Sequence, residues 1–528
     1  MASLDPGITY ASLDLNVLAA TERTLYTYAP NDPSNIAPDL AAGPPQISPD
    51  GRTLTVKIRS GVRFGPPVNR EVTSRDVAYA IERGFNPHVA NPYASTYYGD
   101  IVGADRATGG PIPGIQTPDD HTIVFKLTRP TASLLAQATV LPLDAPVPPE
   151  YAKPFDAKAP STYANNVVST GPYMYAADRG GRVLGTGYVP GRSVRLVRNP
   201  SWSAGGDKRP AYLNAITIEI GGSPTVSGRQ VLAGRGLVLA DSPTPELVKR
   251  AYLHNRSQIY FSPGAGTNYA ALNTAIAPFD DADLRKAVAA ELDRQQMRTV
   301  RGGAVVGDSG SHFLYPGVLG FEQAGGQQGT GVDFLANPQG DRALAARYMK
   351  AAGYPSGKYT GGQTVQIVGL AGAPDSDDAQ IFQQALQDLG FKTTLKLVDS
   401  TVMYARFCGL PKARVQACPN VGWIRDFADP QTVLDVAFNG NDIFPENNPN
   451  WPQLNDPAIN RAMARAELTV GTQQRANAWG TIDRMITATA AAIPWLWDRQ
   501  PNIFAANVRC VPELWNQGHC DFAYTSLK

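Results

Sequence analysis

Between Val365 and Leu397 the residue pattern changes period twice, and this segment limits the fold more than any other. Val365, Ile367 and Leu370 read as a strand; Ile381, Phe382, Ala385 and Leu389 follow at helical spacing and stop at Gly390; Phe391, Thr393, Leu395 and Leu397 read as a strand again. Strand, helix and strand at these lengths make a parallel βαβ unit, whose crossover is right-handed. An α/β fold is therefore expected. With 528 residues the chain exceeds one ordinary core, so two or three domains are expected.

A second type of unit is legible nearer the start. Leu54, Val56 and Ile58 alternate with Thr53, Thr55, Lys57 and Arg59, and Ile123, Phe125 and Leu127 repeat the alternation. Each run follows a turn of similar lettering, Ser48, Pro49, Asp50, Gly51 and Thr117, Pro118, Asp119, Asp120, so both are assigned to one small sheet. Between them Thr73, Ser74 and Asp76 supply capping oxygens for a helix carrying Val77, Ala78, Ile81 and Phe85. After Asn268, Asp280 and Asp281 cap a helix with Leu284, Ala287, Val288 and Leu292 on one face, and Asp341 opens another that ends at Gly353. The Pro- and Gly-rich stretches 103–118, 141–154 and 302–331 read as surface connections.

The 47 basic and 46 acidic residues leave a formal charge of +1 and no basic stripe, which argues against nucleic acid as a partner. No apolar run approaches the roughly 20 residues that span a bilayer, and Met1–Pro6 lacks the charged-then-apolar order of an export signal. A soluble chain is expected, with any signal absent or already removed. The four cysteines fall as two sequence-local pairs, Cys408 with Cys418 and Cys510 with Cys520, each able to bridge a short loop. Four cysteines allow three connectivities, and four free thiols in a reducing compartment are the alternative. Zinc is disfavoured, because neither spacing is a C-x-x-C knuckle and only His519 lies nearby.

Catalytic motifs are sparse. Gly307, Asp308, Ser309 and Gly310 spell the string found around the nucleophile of trypsin-like proteases, so a hydrolase using Ser309 is the enzyme reading to weigh. That fold is all-β, whereas this string precedes α/β patterning, and neither His121 nor His254 supplies a general base. No phosphate loop, dinucleotide fingerprint or H-E-x-x-H occurs, and His88, His121, His254, His312 and His519 lack ligand spacing, so no cofactor or metal is expected. Aromatic residues with neighbouring single charges suit a binding cleft better: Tyr93, Tyr97 and Tyr98 in one loop, Tyr269 beside Asn268, Trp423 near Asp426, and Trp495 and Trp497. Ordinary core packing is the competing reading, above all for Trp202, Trp479 and Trp497. Asp426 lies in the run from Gly422 to Pro430, an acid among apolar neighbours that needs a cation or several N–H donors, supplied by Arg425 or another arginine, or by a ligand.

Several collinear pieces carry a family resemblance. They are Ala37 to Ala41, Ser48 to Thr53, Gly61 to Phe64, Val72 to Ala78, Ser169 to Tyr173, Arg198 to Trp202, Leu272 to Thr274 with Pro278 to Asp281 and Leu284 to Ala287, and Ala352 to Tyr354. With them the chain resembles the solute-binding proteins of ABC importers in the peptide/nickel/opine class (family 5), to which oligopeptide- and dipeptide-binding proteins belong. The resemblance implies a two-lobed periplasmic-binding-protein-like α/β fold (Venus flytrap, class II, cluster C) with a small α+β domain inserted in the first lobe. Lobe I would comprise 1–50, 165–267 and 495–528, the insert 51–164 and lobe II 268–494, with chain crossings near 262–270 and 488–498.

The resemblance also implies a role. Such a protein is not an enzyme; it binds short peptides in an interlobe cleft, as a monomer without cofactor, and delivers them to an ABC permease in the cytoplasmic membrane. It works in the periplasm or at the cell surface as a membrane-anchored lipoprotein. Oligopeptide binders of the class carry a Trp, an Asp three positions on, then an acidic residue and Pro, and Trp423, Asp426, Asp429 and Pro430 match; that Asp takes the ligand's α-ammonium. Asp429 is left as a structural turn residue before Pro430. Asn91 to Gly99 resembles a segment lining the cleft, making Tyr97 or Tyr98 a contact, and Tyr269 beside Asn268 and the backbone of Gly422 and Ile424 match residues that pair with an extended peptide. Arg425 could compete with the ligand amine or reach a peptide carboxylate. A sugar oligomer stacked on Trp423 and Trp495 is the other ligand within the class; nickel or haem fits the sparse histidines poorly.

Overall fold

The structure, a computed structural model, describes residues 3–514, 516 and 518–528. The chain divides into two compact units, one running to Ser242 and resuming over Asn502–Lys528, the other Pro243–Pro501. These divisions lie outside the windows expected for the chain crossings. The helix Pro245–His254 already belongs to the second unit, and the segment 492–498 is an interior strand of that unit's sheet, so the chain stays there until the strand is complete.

In the first unit, β1 (Gln46–Ile47), β2 (Thr53–Lys57), β3 (Ile115–Asp119) and β4 (Thr122–Lys126) form a sheet in the order β1-β2-β4-β3. Leu54 faces Phe125 and Val56 faces Ile123 across β2 and β4, and all four are fully buried, so the two alternating runs share a sheet as expected. Helix α1 (Ser74–Gly84) begins where the Asp76 carboxylate accepts the Thr73 N–H at 2.7 Å, and Arg70 grips the same carboxylate at 2.8 and 2.6 Å. The tyrosine segment expected as a loop contains a short helix, α2 (Ala94–Tyr98), started by the Asn91 side chain accepting the Tyr93 N–H at 2.9 Å. A further sheet of β5 (Tyr173–Tyr175), β6 (Tyr188–Val189), β7 (Ser193–Arg198) and β8 (Ala215–Glu219) is built around β7.

The second unit holds a six-stranded mixed sheet. Its strands are β9 (Thr267–Leu272), β10 (Gly307–Asp308), β11 (Thr364–Leu370), β12 (Lys392–Val398), β13 (Ala417–Trp423) and β14 (Ala492–Asp498), in the order β10-β14-β9-β13-β11-β12. β11 and β12 are parallel and joined by a helix, the crossover read from the sequence, while β9 runs antiparallel to both β13 and β14. Helices α3 (Ala282–Glu291), α4 (Arg294–Arg301), α5 (Arg342–Ala351), α6 (Asp375–Asp388), α7 (Gln431–Phe438) and α8 (Thr472–Ala488) pack around it. Asp281 caps α3 by accepting the N–H groups of Asp283 and Leu284 at 2.7 and 3.2 Å, and Asp341 caps α5 through Leu344 at 2.9 Å.

Both faces of this sheet are buried, as a sheet with parallel crossovers requires. One core gathers Tyr269, Phe313, Val421, Phe438, Trp451, Trp479 and Trp497; the other gathers Leu272, Leu284, Val288, Ile367, Phe382, Trp495 and Leu496. Trp479 and Trp497 are thus core residues, while Trp202 is only partly buried and donates its Nε1–H to Asp207 at 2.8 Å. Among the described residues no helix is long and apolar enough to cross a membrane.

The cysteines form Cys408–Cys418 and Cys510–Cys520, the sequence-local pairing. Cys418 lies in β13, so the first bridge fastens that strand to the turn ending at Cys408. Closing a loop of this length restricts the unfolded chain by about 3 kcal/mol. Replacing Cys408 and Cys418 by Ala should lower unfolding free energy by that order, read as an earlier urea midpoint with an unchanged slope.

Glu22, buried in the first unit with Thr170 as a hydroxyl donor at 3.4 Å, has its carboxyl pushed by burial from 4.5 up to about 8. The neutral form is the folded one. Its contribution to stability is complete below pH 4.5, falls as pH rises, and levels off above about 8. Denaturation across that window should show Glu22→Gln with a shallower loss, by on the order of 1 kcal/mol per pH unit.

Candidate functional site

β13 leaves the sheet at Trp423, and the turn that follows is held by few residues. Thr432, in the first turn of α7, accepts the Asp426 N–H at 3.2 Å, donates its hydroxyl toward the carbonyls of Asp429 (2.9 Å) and Phe427 (3.3 Å), and offers its own carbonyl to Trp423 Nε1–H at 2.7 Å. Asp429 accepts the Gln431 N–H at 2.9 Å, opening the helix, and is gripped by both arms of Arg475 at 2.6 and 2.7 Å. That confirms its turn geometry and gives it a cation of its own. Trp423 lies against Trp451, ring centroids 5.6 Å apart.

Arg425 is almost fully buried; its N–H donates to the Tyr315 hydroxyl at 3.0 Å and its guanidinium to the Gly317 carbonyl at 3.3 Å. The segment carrying those acceptors is latched in turn by Asp483 on α8. Its carboxylate accepts the N–H groups of Phe313 and Leu314 at 3.0 and 2.8 Å and meets His312 Nδ1 at 2.8 Å. His312 Nε2 faces the Gly326 carbonyl at 3.0 Å, so the histidine nearest Ser309 has both ring nitrogens engaged, and Asp308 is paired with Arg499 at 2.6 Å. No proton acceptor is aimed at Ser309 by these groups.

Gly422 is the register partner of Asn268 and Trp423 that of Thr267, and Ile424, Arg425 and Asp426 follow in the turn beyond β13. A Cβ on Gly422 would come to 3.0 Å from both the Thr267 carbonyl and Asn268 Oδ1, so any other residue here would push those neighbours aside. On its other edge β13 pairs with β11 at Ala417–Ile367, and Asn420 carries the contact on by accepting the Leu370 N–H at 3.0 Å, so among the described residues no strand pairs with that edge from Val421 to Trp423. Tyr269, by contrast, points into the core, packed between Phe313, Phe438 and Trp451 at 5.6–5.9 Å with its hydroxyl buried. Trp495 is also fully buried. Tyr97 and Tyr98 belong to the first unit; Tyr98 is fully buried and donates its hydroxyl to the Ala138 carbonyl at 3.2 Å.

Four positions escaped sequence reasoning: Thr432, Tyr315, Asp483 and Asp498. Asp498 ends β14, and its Oδ2 accepts the Asn268 Nδ2–H at 3.2 Å; burial pushes its carboxyl up to about 6, against the lowering field of Arg301. An acid closing an aromatic strand was the available signal, since Trp497 and Asp498 echo Trp423 and Asp426.

Residues 35–445 match the family model for bacterial extracellular solute-binding proteins, family 5. Di/tripeptide-binding protein 2 of Pseudomonas aeruginosa is 24% identical over 493 residues, covering 91% of this chain and 84% of that protein. Periplasmic oligopeptide-binding protein OppA of Escherichia coli is 22% identical over 453 residues, 84% of this chain and 76% of its own. The solved structure of clavulanic acid biosynthesis oligopeptide binding protein 2 superposes with a TM-score of 0.84 at 26% identity, covering 100% of this chain and 93% of the other. The chain belongs to the family 5 bacterial extracellular solute-binding proteins, which makes it a binding protein and not an enzyme.

The Arg475 clamp gives a direct test of the turn. Arg475→Ala should leave Asp429 buried without its cation and cost about 3 kcal/mol by chemical denaturation, while adding Asp429→Asn should recover part of that loss.

Proposed function

We propose that this chain is the extracytoplasmic solute-binding component of an ABC importer, that it captures short peptides, and that Asp426 takes the peptide α-ammonium. The peptide main chain adds along the uncovered edge of β13, beside Gly422 and Ile424, as an extra strand. Main-chain bonds are common to every sequence, so affinity is shared among peptides and side chains set the preference. The protein works outside the cytoplasmic membrane, in a periplasm or tethered at the cell surface, and hands its cargo to a permease.

The observation that carries this reading is the position of Asp426 in the turn just past the end of β13, where no strand pairs with the edge from Val421 to Trp423 among the described residues. The names of the relatives, di/tripeptide- and oligopeptide-binding, support the ligand class. The sugar alternative needs Trp495 as a stacking platform, and that ring is fully buried. Tyr269, Tyr97 and Tyr98 are not carried forward as contacts, because all three rings are built into their units' interiors.

Replacing Asp426 by Ala should cost about 3 to 5 kcal/mol of binding, roughly two to four orders of magnitude in Kd, measured by calorimetry with a tripeptide. N-acetylation of the peptide should weaken binding of the unaltered protein to a similar degree. Unchanged affinity in both experiments would sink the ammonium anchor.

A further inference from the structure

A cavity of about 270 Å³ opens within the first unit, whereas Asp426 and β13 belong to the second. Its wall is assembled from stretches far apart in sequence, within 19–39, at 59, over 205–209 and over 513–524. Most of the charge in and behind that wall is neutralised internally. Arg23 donates to Asp39 at 2.7 Å, and Arg209 donates to Asp207 at 2.7 Å and to the carbonyls of Ala19 and Glu22 at 2.7 and 2.6 Å. Glu513 accepts the N–H groups of Asn516, Gly518 and His519 at 3.1, 2.9 and 3.2 Å.

Three lining groups are left without an opposite charge. Arg59, half-buried, donates only to the carbonyls of Asp39 and Ala41, both at 3.3 Å; Lys208 is exposed; and neither forms an ion pair among the described residues. Asp521 is 8% exposed, its Oδ1 accepts the Ala523 N–H at 2.8 Å, and no cation pairs with it among the described residues. Burial pushes its carboxyl up to about 6 although the field of Arg209 opposes the shift, because that guanidinium is committed to Asp207 and the backbone. The position of Asp521 is held by the chain itself: the Cys510–Cys520 bridge fixes the residue before it, and its own N–H donates to the Val511 carbonyl at 2.8 Å. Glycine at 206 leaves Arg59 its place, since a Cβ there would come to 3.1 Å from Arg59 Cδ.

A carboxylate lacking a cation and a guanidinium lacking an anion, both lining one cavity, are complementary to a molecule that carries an ammonium and a carboxylate together. Such a molecule gives each of them a charge-assisted hydrogen bond and removes the cost of an unpaired buried acid. The volume lies below the roughly 300–1,000 Å³ of sites for drug-sized ligands, which suits a single amino acid and not a tripeptide. Tyr28 and Tyr524 add ring surface for its side chain.

We propose that this cavity binds a free α-amino acid, with Asp521 taking the ammonium, Arg59 the carboxylate and Lys208 adding positive charge at the rim. The site goes beyond the peptide reading and is independent of it, since it uses none of the residues assigned to the peptide.

The full chain, screened against the L-amino acids by saturation-transfer NMR, should bind at least one of them, whose Kd calorimetry then gives. The N-acetyl and amide derivatives of that amino acid, each lacking one charge, should bind the unaltered protein about tenfold more weakly or worse. Asp521→Asn and Arg59→Gln should each weaken the parent amino acid by about tenfold or more, while tripeptide affinity in Asp521→Asn stays unchanged. Binding by no amino acid overturns the inference, as does a derivative that binds as tightly as its parent, and neither result depends on a variant folding. Asp426→Ala separates the two sites: the amino acid should bind it with an unaltered Kd. Binding that disappears in Asp426→Ala and survives in Asp521→Asn assigns the amino acid to the peptide anchor and overturns the proposed cavity site. Failure of tripeptides to bind the unaltered protein overturns the peptide reading alone.

Discussion

Strand β9 is bonded on one edge to β13 and on the other to β14, and the rest of the site depends on that double pairing. Strand spacing is set by backbone hydrogen bonds at about 4.8 Å, so the separation of the two neighbours is not adjustable by side chains. What each neighbour presents at its end is therefore placed by the ladder: a turn carrying Asp426 after one, Asp498 at the close of the other. The contact that permits it is small, a glycine at 422 where any side chain would press on the Thr267 carbonyl and on Asn268.

Local rules sufficed for much of the architecture. The βαβ crossover, the alternation within each of the strands at 53–57 and 122–126, and the Asp281 and Asp341 caps each depend on residues near one another in sequence, where periodicity and capping chemistry are decisive. The order of the large sheet was not legible. β14 inserts beside β9 from more than two hundred residues away, and nothing local records a partner at that distance. The short helix at 94–98 was hidden for another reason: its start depends on a side chain, Asn91, bonding to the backbone two residues on.

At the site, the tryptophan and aspartate spacing pointed to β13 and its turn, but composition could not separate ligand-facing rings from core rings. Tyr269 and Asn268 are adjacent and occupy opposite faces of one strand, so one packs against Phe313, Phe438 and Trp451 while the other meets Asp498. Supporting residues were invisible for a similar reason. Thr432, Tyr315 and Asp483 act through backbone atoms, and a hydroxyl or carboxylate that serves a main-chain group leaves no mark in side-chain pattern.

The Cys408–Cys418 bridge has a consequence for timing. It clamps the strand whose uncovered edge is the proposed landing surface, and it is a bond that a reducing cytosol does not maintain. A newly made chain still inside the cell lacks that staple, so the edge acquires its final firmness only after secretion, in the compartment where cargo is met.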